Sequence, residues 1–344
     1  MAATRRTNDT ANTAPMRTRG VTAAPLVRSG PPFKRGEYTG PLVLFLTGAS
    51  GYVGMRLGER LASRSRRLRC LVLPGDAVDP GNRFPTQVVR GDVRNLDSFA
   101  AYGEDVNAIV HCAAVMPPAP ADRIREVNVR GTANMIAFAR RWGIRRIVYL
   151  SAVSAVYAKK NAYGESKAEA ERLVTESGLD YTVLRLTMVY GPDGGLHFRK
   201  LVSLVKRVPL LFPLPGSGKA RLQPVFIGDV LQALELTLST AAATGKTYNV
   251  SGGTVVRLRD LVDRIAAAEG LRRIRVHVPL TLCNAAAAAL SAVLPASFFS
   301  SDALLGLTQD ADLDHTRFHD ECGYTPLGLE EGFARVFGGG SSLR

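Results

Sequence analysis

The sequence predicts an α/β protein built on a doubly wound parallel sheet, with a smaller substrate-binding part woven into its C-terminal portion. Three observations carry this. An apolar run of β-formers, Leu42-Val-Leu-Phe-Leu-Thr47, breaks into the turn Gly48-Ala-Ser-Gly51-Tyr-Val-Gly54 and resumes at helical spacing through Leu61. Further apolar runs then alternate with helix-length segments as far as Leu150, an alternation that forces parallel pairing through right-handed crossovers. Finally, Tyr163 and Lys167 open the helix after the fifth strand, at the sheet edge where ligands collect.

The first strand and its turn read as a phosphate cradle. Gly48 suits the dihedrals of the turn, Gly51 lets backbone approach a pyrophosphate, and Gly54 lets the new helix pack on the strand, while the helix N-terminus offers unpaired N–H groups. The spacing G-x-x-G-x-x-G differs from the dehydrogenase form G-x-G-x-x-G, so the turn by itself is compatible with a ligand-free strand-to-helix connection. Arg60, Arg64, Arg66, Arg67 and Arg69 run from the end of helix one into strand two, Leu68–Leu73, which Pro74-Gly75 stops. The tip of that strand selects NAD through a carboxylate or NADP through an arginine. Here it is Leu73-Pro74, with Asp76 beyond and Arg69 further back, so NAD and NADP both stay open, with a lean to NAD.

Thr86–Arg90 reads as strand three, leading into Gly91-Asp92-Val93, and Asn107–Val110 as strand four, ending at His111-Cys-Ala-Ala-Val115. A helix from about 121 to 142 contains Asn128-Val-Arg-Gly-Thr132, and Arg146–Leu150 is strand five. Ser151-Ala-Val-Ser154-Ala-Val-Tyr157 leaves this strand, and Tyr163-Gly-Glu-Ser-Lys167 starts the next helix. Tyr and Lys four apart share a helix face. A phenol of ordinary pKa, about 10, is a poor acid/base at neutral pH, and a nearby ammonium together with a cationic nicotinamide ring would lower it. Ser151 could hold the substrate oxygen between itself and Tyr163. The bland alternative is a mere helix-face pair; its position over the same cleft as the glycine turn favours chemistry.

The composition is that of an ordinary globular chain of 344 residues, with 46% hydrophobic and 22% charged residues. The net charge is +14, and the first forty residues hold +5 of it, with Arg5, Arg6, Arg17, Arg19, Arg28, Lys34 and Arg35 against Asp9 and Glu37. No basic segment carries interleaved aromatics, so nucleic acid is not an expected partner; a soluble face or attraction for an anionic small molecule fits better. Residues 1–40 read as a disordered basic tail, with an organelle transit peptide as the alternative. Cys70, Cys112, Cys283 and Cys322 show no C-x-x-C spacing, which suits a reducing cytoplasm and implies neither disulfides nor a metal site. No stretch is long enough to span a bilayer. A homodimer is left open.

By their order along the chain these motifs resemble the extended short-chain dehydrogenase/reductase superfamily, which includes nucleotide-sugar epimerases, 3β-hydroxysteroid dehydrogenases and flavonoid-type reductases. The matching elements are Thr47–Gly54, Gly91–Val93, His111–Ala114, Asn128–Thr132, Tyr163 with Lys167, and Leu184-Arg-Leu-Thr-Met-Val-Tyr-Gly-Pro192. The resemblance implies a Rossmann-type domain and an NAD(P)-dependent oxidoreductase or epimerase acting on a hydroxyl or ketone carbon of a small molecule, nucleotide-sugar or sterol-like. It implies that Gly48, Ser50, Gly51, Tyr52, Val53, Gly54 and Asn128 belong to the cofactor site, and that Asp92 and Val93 contact the adenine. Ala113 and Ala114 would pack beside the ribose, Lys167 would hold the nicotinamide ribose, and Tyr163 would be the acid/base.

A narrower resemblance, carried by Arg221-Leu-Gln-Pro-Val-Phe-Ile-Gly-Asp-Val230 and by Ser151-Ala152 with the short segment to Tyr163–Glu171, points to the atypical branch containing the nucleotide-binding accessory subunit of respiratory complex I. It implies the alternative of a non-catalytic dinucleotide-binding protein. Where many relatives of the superfamily place a catalytic serine or threonine stands Val153, which shifts that role to Ser151 or, as the alternative, Ser154. Leu186 stands for a common proline. Met188 stands where many epimerases carry asparagine, which counts against a close epimerase, and Ser154-Ala155 replace the acidic pair of sugar dehydratases.

The expected division is a dinucleotide-binding domain of residues 41–192 with 222–250 and a substrate-binding part of 193–221 with 251–344. In the latter, 197–207 reads as a basic helix, 259–269 as an amphipathic helix, 274–278 as a strand, and 279–294 as an apolar helix whose default place is the core, with a lid over an apolar substrate or a dimer or membrane-surface face as the alternatives. His197 reads as structural, and 329–337 as the last helix.

Overall fold

The computed structural model describes residues 42–64, 66–208, 210–293 and 301–338; the basic tail and the Phe298-Phe299 segment lie outside them. In chain order, β1 (Val43–Thr47), α1 (Tyr52–Ala62), β2 (Arg67–Val72), β3 (Gln87–Arg90) and β4 (Ala108–His111) form the first half. One long helix follows, as α2 (Ala121–Arg125), a π turn over Glu126–Arg130, and α3 (Gly131–Trp142). Then come β5 (Arg146–Ala152), α4 (Ala162–Thr175), β6 (Asp180–Leu186) and β7 (Val189–Tyr190). The rest comprises α5 (Leu196–Arg207), β8 (Leu211–Pro215), β9 (Arg221–Leu222), β10 (Val225–Phe226), α6 (Ile227–Ser239) and β11 (Lys246–Val250). The chain ends in β12 (Val256–Arg257), α7 (Leu258–Ala268), β13 (Ile274–Val278), α8 (Leu280–Val293), α9 (Ser301–Thr308), α10 (Thr316–Cys322) and α11 (Leu329–Phe337).

The central sheet has seven strands in the order β11-β6-β5-β4-β1-β2-β3, every neighbouring pair parallel. Strand order reverses between β1 and β4, and that switch point fixes where a ligand crevice opens. The unbroken apolar run of β1 has a direct cause: it is buried on both faces. Leu44 and Leu46 join the core under α1 and α6, whereas Val43 and Phe45 join the core under α3, with Phe45 and Phe138 ring centroids 4.8 Å apart.

Arg146, at the start of β5, is 1% exposed. Its guanidinium donates to Asp180 O, Thr182 Oγ1 and Thr237 O, each at 2.7 Å, and so ties β5 to β6 and α6. Burial lowers its pKa to about 10.

The smaller sheets, β8 with β13 and β9 with β12, place α5, α7 and α9 beside the C-terminal ends of the central strands. The expectation of a core position for the apolar helix is corrected in part. In α8, Ala287 is buried, but Leu280 and Leu282 are 42% and 60% exposed. A helix rich in alanine has little side chain with which to bury a face. No helix among the described residues is long and apolar enough to cross a membrane.

Candidate active site

At the C-terminal ends of β1, β4, β5 and β6 lies a cavity of about 460 Å³. Gly48, Gly51, Tyr52, Val53 and Gly54 line one end, and Ser154, Tyr163 and Lys167 line its middle. The sequence motifs separated by more than a hundred residues therefore meet in one space.

The glycine turn is sterically committed. Gly48 sits at φ +68°, and a Cβ on it would lie 2.7 Å from Ala113 N; a Cβ on Gly54 would lie 2.1 Å from Gly48 O. Gly51 occupies the N-cap of α1 with no side-chain cap, so the first-turn N–H groups stay available to an anion at the cavity wall. This cradle fits a dinucleotide diphosphate. Ser50 belongs to the same turn, Ala114 lines the cavity, and Ala113 N donates to Thr47 Oγ1 at 3.2 Å.

Behind the turn runs a buried relay. Thr47 Oγ1 and His111 Nδ1 are 2.6 Å apart, His111 Nε2 and Thr132 Oγ1 3.1 Å, and Thr132 Oγ1 donates to Asn128 O at 2.6 Å. Thr132 spends its proton on Asn128, so His111 Nε2–H must donate to it, and Nδ1 must accept from Thr47. Burial first, and the Lys167 charge second, lower the His111 pKa to about 3, so the ring is neutral.

Asn128, expected in the cofactor site, instead braces it. Its Nδ2 donates to Val115 O and Ser166 Oγ, both at 2.9 Å, and its Oδ1 accepts from Val115 N at 2.8 Å. Ser166 Oγ in turn donates to Tyr163 O at 2.8 Å. The residue is 1% exposed and sits in the π turn, which brings its amide between the loop after β4 and α4. Asp92 and Val93 lie just beyond β3, outside the cavity lining. The Asp92 carboxylate is held by Arg94 at 2.6 Å, and its pKa is lowered by the Arg94 hydrogen bonds and charge despite burial.

Lys167 and Tyr163 share the inner face of α4, as their spacing requires. Lys167 Nζ donates to Leu150 O at 2.7 Å and to Tyr149 Oη at 3.2 Å, and stands 6.0 Å from the Tyr163 ring centroid. Burial lowers the Lys167 pKa to about 8 and raises that of Tyr163 to about 12. In the free protein, then, desolvation of the phenol outweighs the ammonium that the sequence argument invoked to lower it.

Both serines line the cavity, but their hydroxyls are held differently. Ser151, which follows Tyr149 on the same face of β5, donates Oγ to Glu171 Oε1 at 2.5 Å, and Glu171 is paired with Arg185 at 2.6 Å. Ser154 Oγ is buried among the cavity-lining residues and has no hydrogen-bond partner among the described residues. Glu171, Arg185 and Tyr149 escaped the sequence reading, although Glu171 lies one turn beyond Lys167 on the same helix face. Leu186 and Met188 line the cavity where it leaves the central sheet, and His197 and Lys200 line it from α5.

Comparison with known proteins agrees with this architecture. The model of the NAD dependent epimerase/dehydratase family matches residues 44–251. A UDP-glucose 4-epimerase of Vibrio cholerae is 27% identical over 329 residues, 88% of this chain and 96% of that protein. A 3 beta-hydroxysteroid dehydrogenase/Delta 5-->4-isomerase of Mycobacterium tuberculosis is 24% identical over 270 residues, covering 69% and 72%. The crystal structure of DesIV, a dTDP-glucose 4,6-dehydratase from Streptomyces venezuelae with NAD and TYD bound, superposes with TM-score 0.67 at 22% identity, covering 86% of this chain and 96% of that one. The glycine cradle, the strand order and a family match over residues 44–251 together place this chain in the NAD dependent epimerase/dehydratase family, as an NAD-dependent oxidoreductase or epimerase.

Proposed function

We propose that the protein moves hydride between NAD and a carbinol or ketone carbon of a small molecule, with Tyr163 moving the hydroxyl proton and Ser154 orienting the oxygen. The observation that carries this is the Ser154 hydroxyl, buried and without a partner among the described residues, on a residue that lines the cavity with Tyr163 and the glycine turn. A buried hydroxyl without a partner is costly, and a substrate oxygen relieves that cost. In the oxidising direction the carbinol C–H bond breaks as hydride leaves for the dinucleotide, the O–H proton passes to the Tyr163 oxygen, and a C=O bond forms. NAD, when bound, supplies the hydride acceptor and a positive charge. Lys167 adds an ammonium below pH about 8. Both charges act to bring the phenol down from its raised value. Ser151 has a different part: with Glu171 and Arg185 it locks β5 against α4 and β6.

NAD rather than NADP is supported by the edge beyond β2. Arg69 is bound to Gln87, Tyr102 O and Glu104 O, Arg90 to Asp79, and Arg94 to Asp92 and Glu126, so these guanidiniums are already engaged. Isotope transfer tests the proposal. Deuterium on the carbinol carbon of a turned-over alcohol should appear on the nicotinamide by mass spectrometry, or return to carbon in an epimerisation. Loss of the label to solvent would contradict hydride chemistry.

A further inference from the structure

Beyond Met188 the cavity continues between Leu201, Leu204, Phe212, Leu214, Leu222 and Val262. Phe212, Leu214 and Leu222 are at most 1% exposed, so this wall is part of the core rather than a loose surface.

Several polar groups of the lining are already used, and His197, whose pKa burial lowers, and Asp302 also line it without supplying a cation. Thr187 Oγ1 donates to Gln223 O at 2.6 Å, Gln223 Nε2 to Gly252 O at 2.7 Å, and Asn161 Oδ1 accepts from Gly164 N at 3.0 Å. Gln223 Oε1 accepts from Leu313 N at 3.1 Å. Among the described residues, the lysines in the lining are Lys167, which donates to Tyr149 and Leu150, and Lys200, and no arginine lines the cavity.

Charge counting then separates the substrate classes. NAD brings one diphosphate into this space, with the α1 N-terminus to receive it. A nucleoside-diphosphate sugar would bring a second, and its phosphates and sugar hydroxyls would lie largely against leucine and phenylalanine, with Lys200 the one lysine besides Lys167 among the described lining residues. Burying charged and hydroxylated groups without partners is strongly unfavourable, whereas an apolar body there gains with every methylene buried.

We infer that the substrate is a lipophilic ketone or secondary alcohol without a phosphate, polycyclic or long-chain, whose oxygen reaches Tyr163 and Ser154 while its body fills the leucine-lined end. The oxygen end rests on the function proposed above; the apolar end rests on the wall alone.

Nile red fluorescence with the NAD-loaded protein tests it. The dye should bind saturably and be displaced by a 3-ketosteroid or a methyl 3-oxoalkanoate, but not by UDP-glucose. Leu222→Lys should weaken lipophile binding at least about tenfold, as expected for a charge placed in an apolar wall. Leu204→Gln, at a half-buried position, should weaken it in the same direction and serves where Leu222→Lys does not fold; NAD affinity unchanged from wild type reports an intact cradle. Displacement by UDP-glucose, absence of a saturable dye site, or lipophile binding unaltered in both variants overturns the inference. A failure of the acid/base role appears instead as retained turnover in Tyr163→Phe, a reading separate from the dye displacement and from the two leucine variants.

Discussion

Ser151 donates its hydroxyl to the Glu171 carboxylate at 2.5 Å, toward α4, whereas the Ser154 hydroxyl is buried without a partner among the described residues. The two serines should therefore separate on substitution. Ser154→Ala should lower turnover about 10²-fold or more while leaving the protein at least as stable as wild type, because it removes a buried hydroxyl that has no partner among the described residues. Ser151→Ala should instead destabilise by about 1.5–3 kcal/mol, the scale of a lost buried hydrogen bond to a charged group, with turnover largely kept. Steady-state rates paired with urea unfolding of both variants read this directly.

Lys167 offers a stability–activity conflict. Its pKa falls from 10.5 in the unfolded chain to about 8 in the fold because burial penalises the ammonium. At this site the unfolded chain then binds more protons between pH 8 and 10.5, so Lys167 contributes stability that rises with pH across that window, while the buried Cys70 and Cys112 thiols, raised to about 11 and about 12 by burial, act oppositely and are common to wild type and Lys167→Met. Lys167→Met should remove this rise and be no less stable at pH 8, while turnover falls at least about 10²-fold. Thermal unfolding at several alkaline pH values gives the slope.

His111 acts at the other end of the scale. Its folded pKa of about 3 lies below the ordinary 6.5, so the unfolded chain takes up a proton that the native state refuses, and stability should fall as pH drops below 6.5, by about 1.4 kcal/mol per pH unit. Asp229, raised to about 6 by burial, acts oppositely and is common to both proteins when wild type is compared with His111→Gln. The variant should show a shallower acid slope; an unchanged slope would remove His111 as its source.

The cradle predicts a steric failure. Gly54→Ala would place a Cβ 2.1 Å from Gly48 O, so α1 must shift from the turn and NAD affinity should fall at least about tenfold. Asn128→Leu should act at a distance, lowering turnover and stability together because Val115 and Ser166 lose their shared partner. Calorimetric titration with NAD distinguishes them, since Asn128→Leu keeps the cradle itself.

Much of the fold was legible because local signals and long-range placement agreed. The apolar run 42–47 and its glycines could hardly be anything but a doubly buried strand meeting a helix, and the Tyr163–Lys167 spacing set both side chains on one face of α4. What stayed hidden depends on pairing across the chain. The direction of the Ser151 hydroxyl is fixed by Glu171 and Arg185, and the inward turn of Asn128 by a π turn that no residue pattern marks. The exposure of Leu280 and Leu282 depends on what packs against α8, and an alanine-rich sequence does not specify that.

The most direct measurement is the Tyr163→Phe variant, assayed for hydride transfer by nicotinamide absorbance and for NAD affinity by calorimetry on the same preparation. The expected result is turnover lower by about 10³-fold or more with NAD affinity within about twofold of wild type, the signature of a lost proton-transfer group in an intact site. Turnover equal to wild type would contradict the assignment of Tyr163 as the acid/base.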